Sequence, residues 1–146
     1  MIRKITKTDR EIFISMASQF YKSEAVLKDI PLKNYEITFD ELMRSDVYAE
    51  CYIFEIDGKT AGYALTAKTF SQEAGGIVVW IDEIFILPEF RSKGLGSEFL
   101  NFITKKSGAN AARYRLEVED ENTGAIKLYE RFKFRPLGYS QMYLEE

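Results

Sequence analysis

The stretch that decides the fold is ILPEFRSKGLGSEFL, residues 86–100, which joins the end of a strand, a tight loop and a helix. The apolar run Ile77–Leu87 is interrupted only by an Asp-Glu pair and predicts a long strand that Pro88 ends. From Lys93 to Lys106 the apolar residues recur at helical spacing and predict a helix. The loop between them carries glycines just before the helix, so its backbone can turn tightly.

The loop Arg91–Gly96 has the composition of an anion site. The amide groups at a helix N-terminus are unpaired and lie at the positive end of the helix dipole. Arg91 and Lys93 add positive charge beside them. The loop therefore predicts a site for a phosphate or pyrophosphate. It is not a Walker A loop, which needs Gly-Lys-Ser/Thr, and the dinucleotide pattern lacks its third glycine because position 99 is Phe.

Upstream of this stretch the sequence predicts three strands and two helices. These are a strand at Met1–Thr6, a helix at Asp9–Ser23, a short helix that opens at Thr38, and strands at Tyr48–Ile56 and Thr60–Phe70. The first helix is indicated by a capping-box pattern from Thr8 to Glu11. The last two strands flank Asp57-Gly58, which predicts a tight hairpin.

Downstream, the pattern predicts a strand at Arg113–Val118, a helix at Thr123–Phe132 and short strand segments within Phe134–Leu144. The resulting order is strand, two helices, a three-strand meander, helix, strand, helix, strand. This order indicates a mixed α/β domain without a linker or an internal repeat. We expect a single domain over residues 1–146.

Composition excludes several classes of chemistry. The chain has no histidine, so a His-containing triad, a His metal ligand and a His general base are excluded. Proton transfer must use carboxylates, Tyr, Lys, Cys or water. Cys51, the one cysteine, lies in an apolar run and is predicted to be a buried thiol, so neither an internal disulfide nor a Cys-rich metal site is expected.

The charge pattern bears on location and partners. The net charge of -3 lacks the basic footprint of a nucleic-acid-binding protein. Residues Met1–Arg10 are charged and have no apolar signal core. No apolar run approaches the roughly 20 residues that a membrane span requires. We expect a cytoplasmic protein that binds neither nucleic acid nor membrane.

Two motifs in this sequence resemble those of the GNAT superfamily of N-acetyltransferases. Arg91-x-x-Gly94-x-Gly96, directly after a strand, resembles the acetyl-CoA signature of that family. The second motif is matched by Asn122, Ala125, Leu128-Tyr129-Glu130 and Phe134. The predicted order of elements also matches the family fold over nearly the whole chain. The resemblance implies a GNAT-like acyl-CoA N-acyltransferase fold, with a central mixed, mostly antiparallel sheet flanked by helices.

The resemblance also implies an activity and a cofactor site. It implies transfer of an acetyl group from acetyl-CoA to a primary amine, by direct attack and without a metal. The amides of Arg91–Ser97 would hold the pyrophosphate, residues 85–87 would pair with the pantetheine arm, and Asn122 would contact the cofactor. The implied cofactor residues are Phe85, Ile86, Leu87, Arg91, Ser92, Lys93, Gly94, Leu95, Gly96, Ser97 and Asn122.

Three residues are candidates for proton transfer. By resemblance, Tyr129 would protonate the departing thiolate. Asp82 and Glu83 interrupt an apolar strand, which is costly unless a site needs them, and either is a candidate to accept the amine proton. A regular strand would point only one of them into the cleft, and a bulge would change that. The alternative is that one of them pairs with a neighbouring Lys, Arg or Tyr and only shapes the sheet.

The acceptor is predicted to be a small amine, and a cationic one is favoured because polyamine-type family members carry similar paired acids. Its site would be formed by the segment Phe20–Pro31, the hairpin tip at Asp57 and the last strand with Tyr139 and Tyr143. Alternatives are an acetyltransferase for protein N-termini or lysines, and a coenzyme A-binding sensor without chemistry. Homodimers are common in the family, and the aromatic last strand offers one surface for such contact.

Two positions depart from the family pattern. Ser92 stands where glycine is common, and Lys133 stands where the motif before Phe134 has glycine. If Lys133 keeps a left-handed backbone, the cost at the end of the helix is about 1 kcal/mol. Neither change removes a chemical group from the site.

Overall fold

The structure is a computed structural model that describes residues 1–24, 26–107 and 110–146. Its strands are β1 Ile2–Lys4, β2 Ala49–Ile56, β3 Lys59–Ser71, β4 Gly76–Ile86 and β5 Ala111–Leu116. Its helices are α1 Arg10–Tyr21, α2 Leu32–Arg44, α3 Leu95–Ser107 and α4 Thr123–Arg131. The sheet order is β1-β2-β3-β4-β5, and only β4 and β5 run parallel. The predicted mixed, mostly antiparallel sheet is confirmed.

Helices cover both faces of the sheet, and each face has its own core. The face under α1 and α2 buries side chains of these helices against β2, β3 and β4 in a first cluster that includes Phe13, Tyr35, Cys51, Tyr63 and Phe85. The face under α3 and α4 holds a second cluster that includes Tyr52, Phe54, Ile81, Phe99 and Ile103. The thiol of Cys51 is fully buried, as predicted.

A bulge in the middle of β4 changes which side chains face each cluster. Leu65 of β3 pairs with Glu83, but the next residue, Thr66, pairs with Ile81, so Asp82 is an extra residue in β4. Before the bulge, Ile81 belongs to the second cluster; after it, Phe85 belongs to the first. Because side chains alternate along a strand, both would share one face if β4 were paired regularly through Asp82. The bulge therefore turns Glu83 towards α1 and α2.

The hairpin between β2 and β3 has the predicted tight turn. Asp57 and Gly58 have φ values of 50° and 74°, and two successive positive values are typical of a type I′ turn. Further along β3, a Cβ atom at Gly62 would overlap the backbone carbonyl oxygen of Phe85. Glycine at position 62 thus allows β3 and β4 to approach closely where β4 ends.

One predicted helix start and one predicted capping box were wrong. The second helix begins at Leu32 rather than Thr38, because Pro31 has extended backbone angles that allow a helix to start after it rather than breaking one. The capping box lies two residues earlier than predicted, between Thr6 and Asp9. Asp9 is fixed there because the Arg3 guanidinium donates to both of its carboxylate oxygens, at 2.8 and 2.9 Å.

The predicted last strand is also wrong, since residues 132–146 form neither helix nor strand. Pro136 has no N–H to donate to a ladder, and Gly138 has a φ of 86°, which breaks an extended backbone. A groove of about 810 Å³ separates much of this segment from β5 and α4. Among the described helices, none is both long and apolar enough to cross a membrane.

Candidate functional site

Strands β4 and β5 separate halfway along β4. Their pairing runs from Ile77 to Ile81, and β4 continues to Ile86 with pairing to β3 alone in the described part of the chain. The N–H of Leu87 donates to Ala61 on β3, at 2.8 Å. Because backbone groups alternate sides along a strand, those of Ile86 face the opening instead. The separation therefore leaves open backbone groups along the end of β4.

The side chain of Arg91 forms a hydrogen bond with one of these backbone groups. Its Nε donates to the carbonyl oxygen of Ile86 at 2.9 Å, and its guanidinium lies 6.0 Å from the centre of the Phe85 ring. The nearby Lys93 ammonium lies 5.4 Å from the Phe90 ring centre. Both cations are exposed, so they provide positive charge at the mouth of the opening.

The loop before α3 has the backbone that an anion site needs. Ser92 and Gly94 have φ values of 61° and 79°, so the chain turns sharply twice within three residues. The N–H of Glu98 donates to the carbonyl oxygen of Gly94, at 2.9 Å, and closes the first turn of α3. The amides of residues 95–97 precede that bond and have no partner within the helix. Ser92, which stands where glycine is common in the family, has the left-handed backbone that glycine favours.

Two residues predicted to bind the cofactor have structural contacts of their own. A Cβ atom at Gly96 would lie 2.9 Å from Cδ2 of Leu128, so glycine there allows α4 to pack against the first turn of α3. Asn122 caps α4, since its Oδ1 accepts the N–H of Ala125 at 3.3 Å. Their contact with a cofactor stays a prediction.

Glu83 lies buried between two tyrosines. The hydroxyl of Tyr63 donates to Oε1 at 2.5 Å, and the hydroxyl of Tyr21 donates to Oε2 at 3.1 Å. Burial raises the pKa of the Glu83 carboxyl above its ordinary value, and the two hydroxyl donors act in the opposite direction. The side chain is thus a proton-accepting group whose pKa is raised by burial, which brings a carboxyl nearer to the range that suits a general base.

Asp82 has a different environment, although it is the next residue. Its side chain is exposed at the bulge, where β5 has just separated from β4. Partial desolvation, followed by the negative charge of Glu117, raises the pKa of Asp82 to about 6. The structure thus separates the two predicted carboxylates into a buried one and an exposed one.

Tyr129 lies on α4 and packs against the second cluster, on the opposite face of the sheet from Glu83. Its ring contacts that of Phe134, with 5.8 Å between the ring centres. Burial raises the pKa of its hydroxyl. Lys133, after the end of α4, has the expected left-handed backbone with a φ of 66°.

The predicted acceptor region is brought together only in part. Lys28 lies 5.2 Å from the Tyr143 ring centre and 3.5 Å from the Glu145 carboxylate, so the segment after α1 contacts the C-terminal segment. Tyr139 donates to Glu73, which lies at the opposite end of β3 from Asp57. Ala25, within the predicted segment, is outside the described residues.

An acidic cavity of about 260 Å³ lies between the end of α1 and the start of α4. Its carboxylates are those of Glu24, Glu119 and Glu121. Its remaining lining residues belong to the first turn of α4 and its cap, at Asn122, Thr123 and Gly124. The cavity therefore presents negative charge beside the segment that follows Tyr21.

Sequence reasoning missed two tyrosines in the core near Glu83. Tyr63 lies within a predicted strand, and its signal in the sequence is that it is the single aromatic residue of the run AGYALTA, positions 61–67. Tyr35 was not considered, because its helix was predicted to start later. Among the residues that the structure describes, its buried hydroxyl has no hydrogen-bond partner, and its ring lies 5.9 Å from that of Tyr21.

Residues 13–134 match the model of the Acetyltransferase (GNAT) family. The chain belongs to this family. A relative, an uncharacterized N-acetyltransferase of Methanocaldococcus jannaschii, is 30% identical over 135 residues, which are 91% of this chain and 59% of that protein. The chain thus spans about three fifths of that relative's length.

Two further proteins resemble the chain. The spermine/spermidine N(1)-acetyltransferase of Bacillus subtilis (strain 168) is 26% identical over 95 residues, covering 59% of this chain and 62% of that enzyme. Among solved structures, AAC(6')-Iy in complex with the bisubstrate analogue CoA-S-monomethyl-acetylneamine matches with a TM-score of 0.81 and 19% identity. That match covers 100% of this chain and 97% of the other, and it shows a shared fold.

Proposed function

We propose that this protein is an N-acetyltransferase that moves an acetyl group from acetyl-CoA to a primary amine in a ternary complex. The observation that carries the proposal is the opening between β4 and β5, which continues into the loop before α3. It offers open strand groups at one end and free helix amides at the other. An extended amide-containing arm that ends in a pyrophosphate has the matching sequence of groups.

The cofactor would lie along this line. Amides of Arg91–Ser97 would bind the pyrophosphate, and the Arg91 guanidinium would leave the Ile86 carbonyl to pair with it. The freed carbonyl would then accept a hydrogen bond from a pantetheine amide. The structure of AAC(6')-Iy contains a coenzyme A derivative, which supports this choice of cofactor.

The proposed acetyl transfer uses the carboxylate of Glu83 and the phenol of Tyr129. The amine nitrogen attacks the thioester carbonyl, the C–S bond breaks, and the thiol leaves. Glu83 takes the proton that the nitrogen loses, and Tyr129 gives a proton to the sulfur. An alkylamine is mostly protonated at neutral pH, so a nearby base also raises the fraction that can attack. The protein otherwise contributes orientation and exclusion of water.

We propose that the acceptor is a small cationic amine. The acidic cavity at Glu24, Glu119 and Glu121 and the exposed carboxylate of Asp82 would attract a second positive charge on such a molecule. The relative from Bacillus subtilis that is named for spermine and spermidine supports the same class. A protein N-terminus or a lysine side chain is the second candidate, and the exposed position of Asp82 is compatible with a larger acceptor.

Calorimetric titration with acetyl-CoA, with adenosine diphosphate as a control, tests the cofactor site. We expect micromolar binding of acetyl-CoA, weaker binding of the nucleotide, and release of thiol when di- and polyamines are added. Thiol release with peptides but not with small amines would favour the protein acceptor. Acetyl-CoA binding without thiol release from any amine would favour the sensor, and a folded protein that binds no acetyl-CoA would contradict the proposal.

A further inference from the structure

The two oxygens of the Glu83 carboxylate have partners of different kinds. Oε1 is held by the hydroxyl of Tyr63, which is fully buried in the middle of β3. Oε2 is held by the hydroxyl of Tyr21, which is half-buried at the last residue of α1. One oxygen therefore faces the rigid sheet, whereas the other faces the end of a helix and the segment after it.

We propose that Tyr63 is a positioning residue for acetyl transfer, which holds Oε1 so that Oε2 is the oxygen that accepts the proton of the amine. The inference rests on the proposed function, in which Glu83 is the base. In the step itself, an N–H bond of the attacking amine breaks and an O–H bond forms at Oε2. The Tyr63 hydroxyl keeps its hydrogen bond to Oε1, which is then the carbonyl oxygen of the neutral acid.

The surroundings of Glu83 explain why this hydroxyl matters. The titratable groups that interact with the carboxylate come from every packed element: Tyr63 on β3, Tyr21 on α1, Tyr35 on α2, Cys51 on β2 and Asp82 on β4. None of these five groups is a cation, so none offsets the burial of a negative charge by opposite charge. Hydrogen-bond donors must therefore stabilise the ionised form of Glu83. Of its two donors, Tyr63 makes the shorter hydrogen bond.

Removal of the Tyr63 hydroxyl should change the protonation of Glu83, whereas removal of the hydroxyl from a tyrosine that only packs in the core should not. Without its donor to Oε1, Glu83 would keep its proton to higher pH, because the carboxylate would lose a charge-assisted hydrogen bond. Its carboxylate would then be held by Tyr21 at Oε2 alone, and rotation about the last side-chain bond would be less restrained. The first effect is visible in the free protein, without substrate or turnover.

The test is the titration of the Glu83 carboxyl by ¹³C NMR in protein with labelled glutamate, with its signal assigned from Glu83→Gln. We expect Tyr63→Phe to raise the titration midpoint by about one to two pH units. The matched control is Tyr52→Phe, which removes the hydroxyl of an equally buried tyrosine on the other face of the sheet and should leave the midpoint unchanged. An unchanged midpoint in folded Tyr63→Phe would overturn the proposal.

A second variant protects the test against misfolding of Tyr63→Phe. A ring fluorine on Tyr63 makes the phenol a stronger donor at almost the same volume, and it should lower the midpoint. In kinetic measurements, the acid limb of the pH profile of kcat/KM should shift by the same amount as the titration midpoint of Glu83 in each variant. The Kd for acetyl-CoA should be unchanged. If Glu83→Gln is inactive but the midpoint ignores Tyr63, only the positioning role fails. If Glu83→Gln is fully active, the base assignment fails and the positioning role with it.

Discussion

The Glu83 carboxylate and the Tyr129 phenol lie on opposite faces of one sheet. Glu83 is held by Tyr63 in the cluster under α1 and α2, and Tyr129 packs into the cluster under α3 and α4. In the proposed reaction the thioester lies at the opening of β4 and β5, between the two faces. The base and the acid then act on different atoms of the substrates without exchanging a proton with each other.

Glu83→Gln should lower turnover by about 100-fold or more, because an amide has no proton-accepting oxygen of comparable basicity. Binding of acetyl-CoA should be unchanged, since the side chain faces α1 and the tyrosines. Steady-state kinetics with the best amine of a panel, together with calorimetry, would measure both. Wild-type turnover in this variant would leave water as the proton acceptor.

Asp82→Asn should affect amine binding and its pH dependence rather than the chemical step. The pKa of Asp82 is raised to about 6, so the carboxyl becomes neutral as the pH falls through that value. In the wild type, the KM for a cationic amine should therefore rise between about pH 7 and pH 5, and in the variant it should stay flat. An identical pH dependence of KM in both proteins would exclude Asp82 from the acceptor site.

Arg91→Glu should weaken acetyl-CoA binding by about tenfold or more, because it replaces a cation beside the pyrophosphate loop with an anion. The Kd from calorimetry is the measurement. Lys105→Glu is the matched control. It reverses an exposed charge in the last turn of α3, at the opposite end of the helix from the loop. If both variants bind acetyl-CoA equally, the effect is one of overall charge and the assigned loop is wrong.

Tyr129→Phe should lower kcat by about 100-fold and leave the Kd for acetyl-CoA unchanged, since only the hydroxyl that protonates the thiolate is lost. Tyr48→Phe, at an exposed tyrosine before β2, serves as a control for loss of a phenol elsewhere. Full activity of Tyr129→Phe would assign the residue to packing against Phe134 alone.

Gly62→Ala should destabilise the fold by about 1–3 kcal/mol, because the new methyl group would overlap the Phe85 carbonyl oxygen and push β3 away from β4. Gly124→Ala makes the same chemical change in open space on α4 and should be neutral or slightly stabilising. Urea unfolding of both variants gives the difference. Equal free energies of unfolding would mean that β3 and β4 make room for the methyl group at no cost.

Local patterns predicted most of the fold. The Asp57-Gly58 turn and the apolar spacing of α3 are properties of neighbouring residues, and both are confirmed. The start of α2 was missed because Pro31 breaks a helix in its interior but precedes one when its own angles are extended. The final strand was predicted wrongly because its composition is strand-like, whereas Gly138 breaks the extended backbone and a groove separates much of the segment from β5.

The site was predictable in its parts and not in its arrangement. The charge and glycines of the loop before α3 are visible in the sequence, and so are the two acids of β4. Which acid is buried depends on a bulge, and a bulge appears only when two strands are paired. For the same reason the partnership of Glu83 with Tyr63, twenty residues away, and with Tyr21 on another element was not visible.

The bulge at Asp82 makes β4 tolerant of a change in length at that residue. Ile81 pairs with Thr66 and Glu83 pairs with the neighbouring Leu65, so an in-frame loss of codon 82 would join two adjacent pairs in regular register. Glu83 and Phe85 would still face α1 and α2, and only the carboxylate of Asp82 would be lost. Among natural or engineered variants of this strand, a deletion of residue 82 should therefore be tolerated about as well as a substitution there.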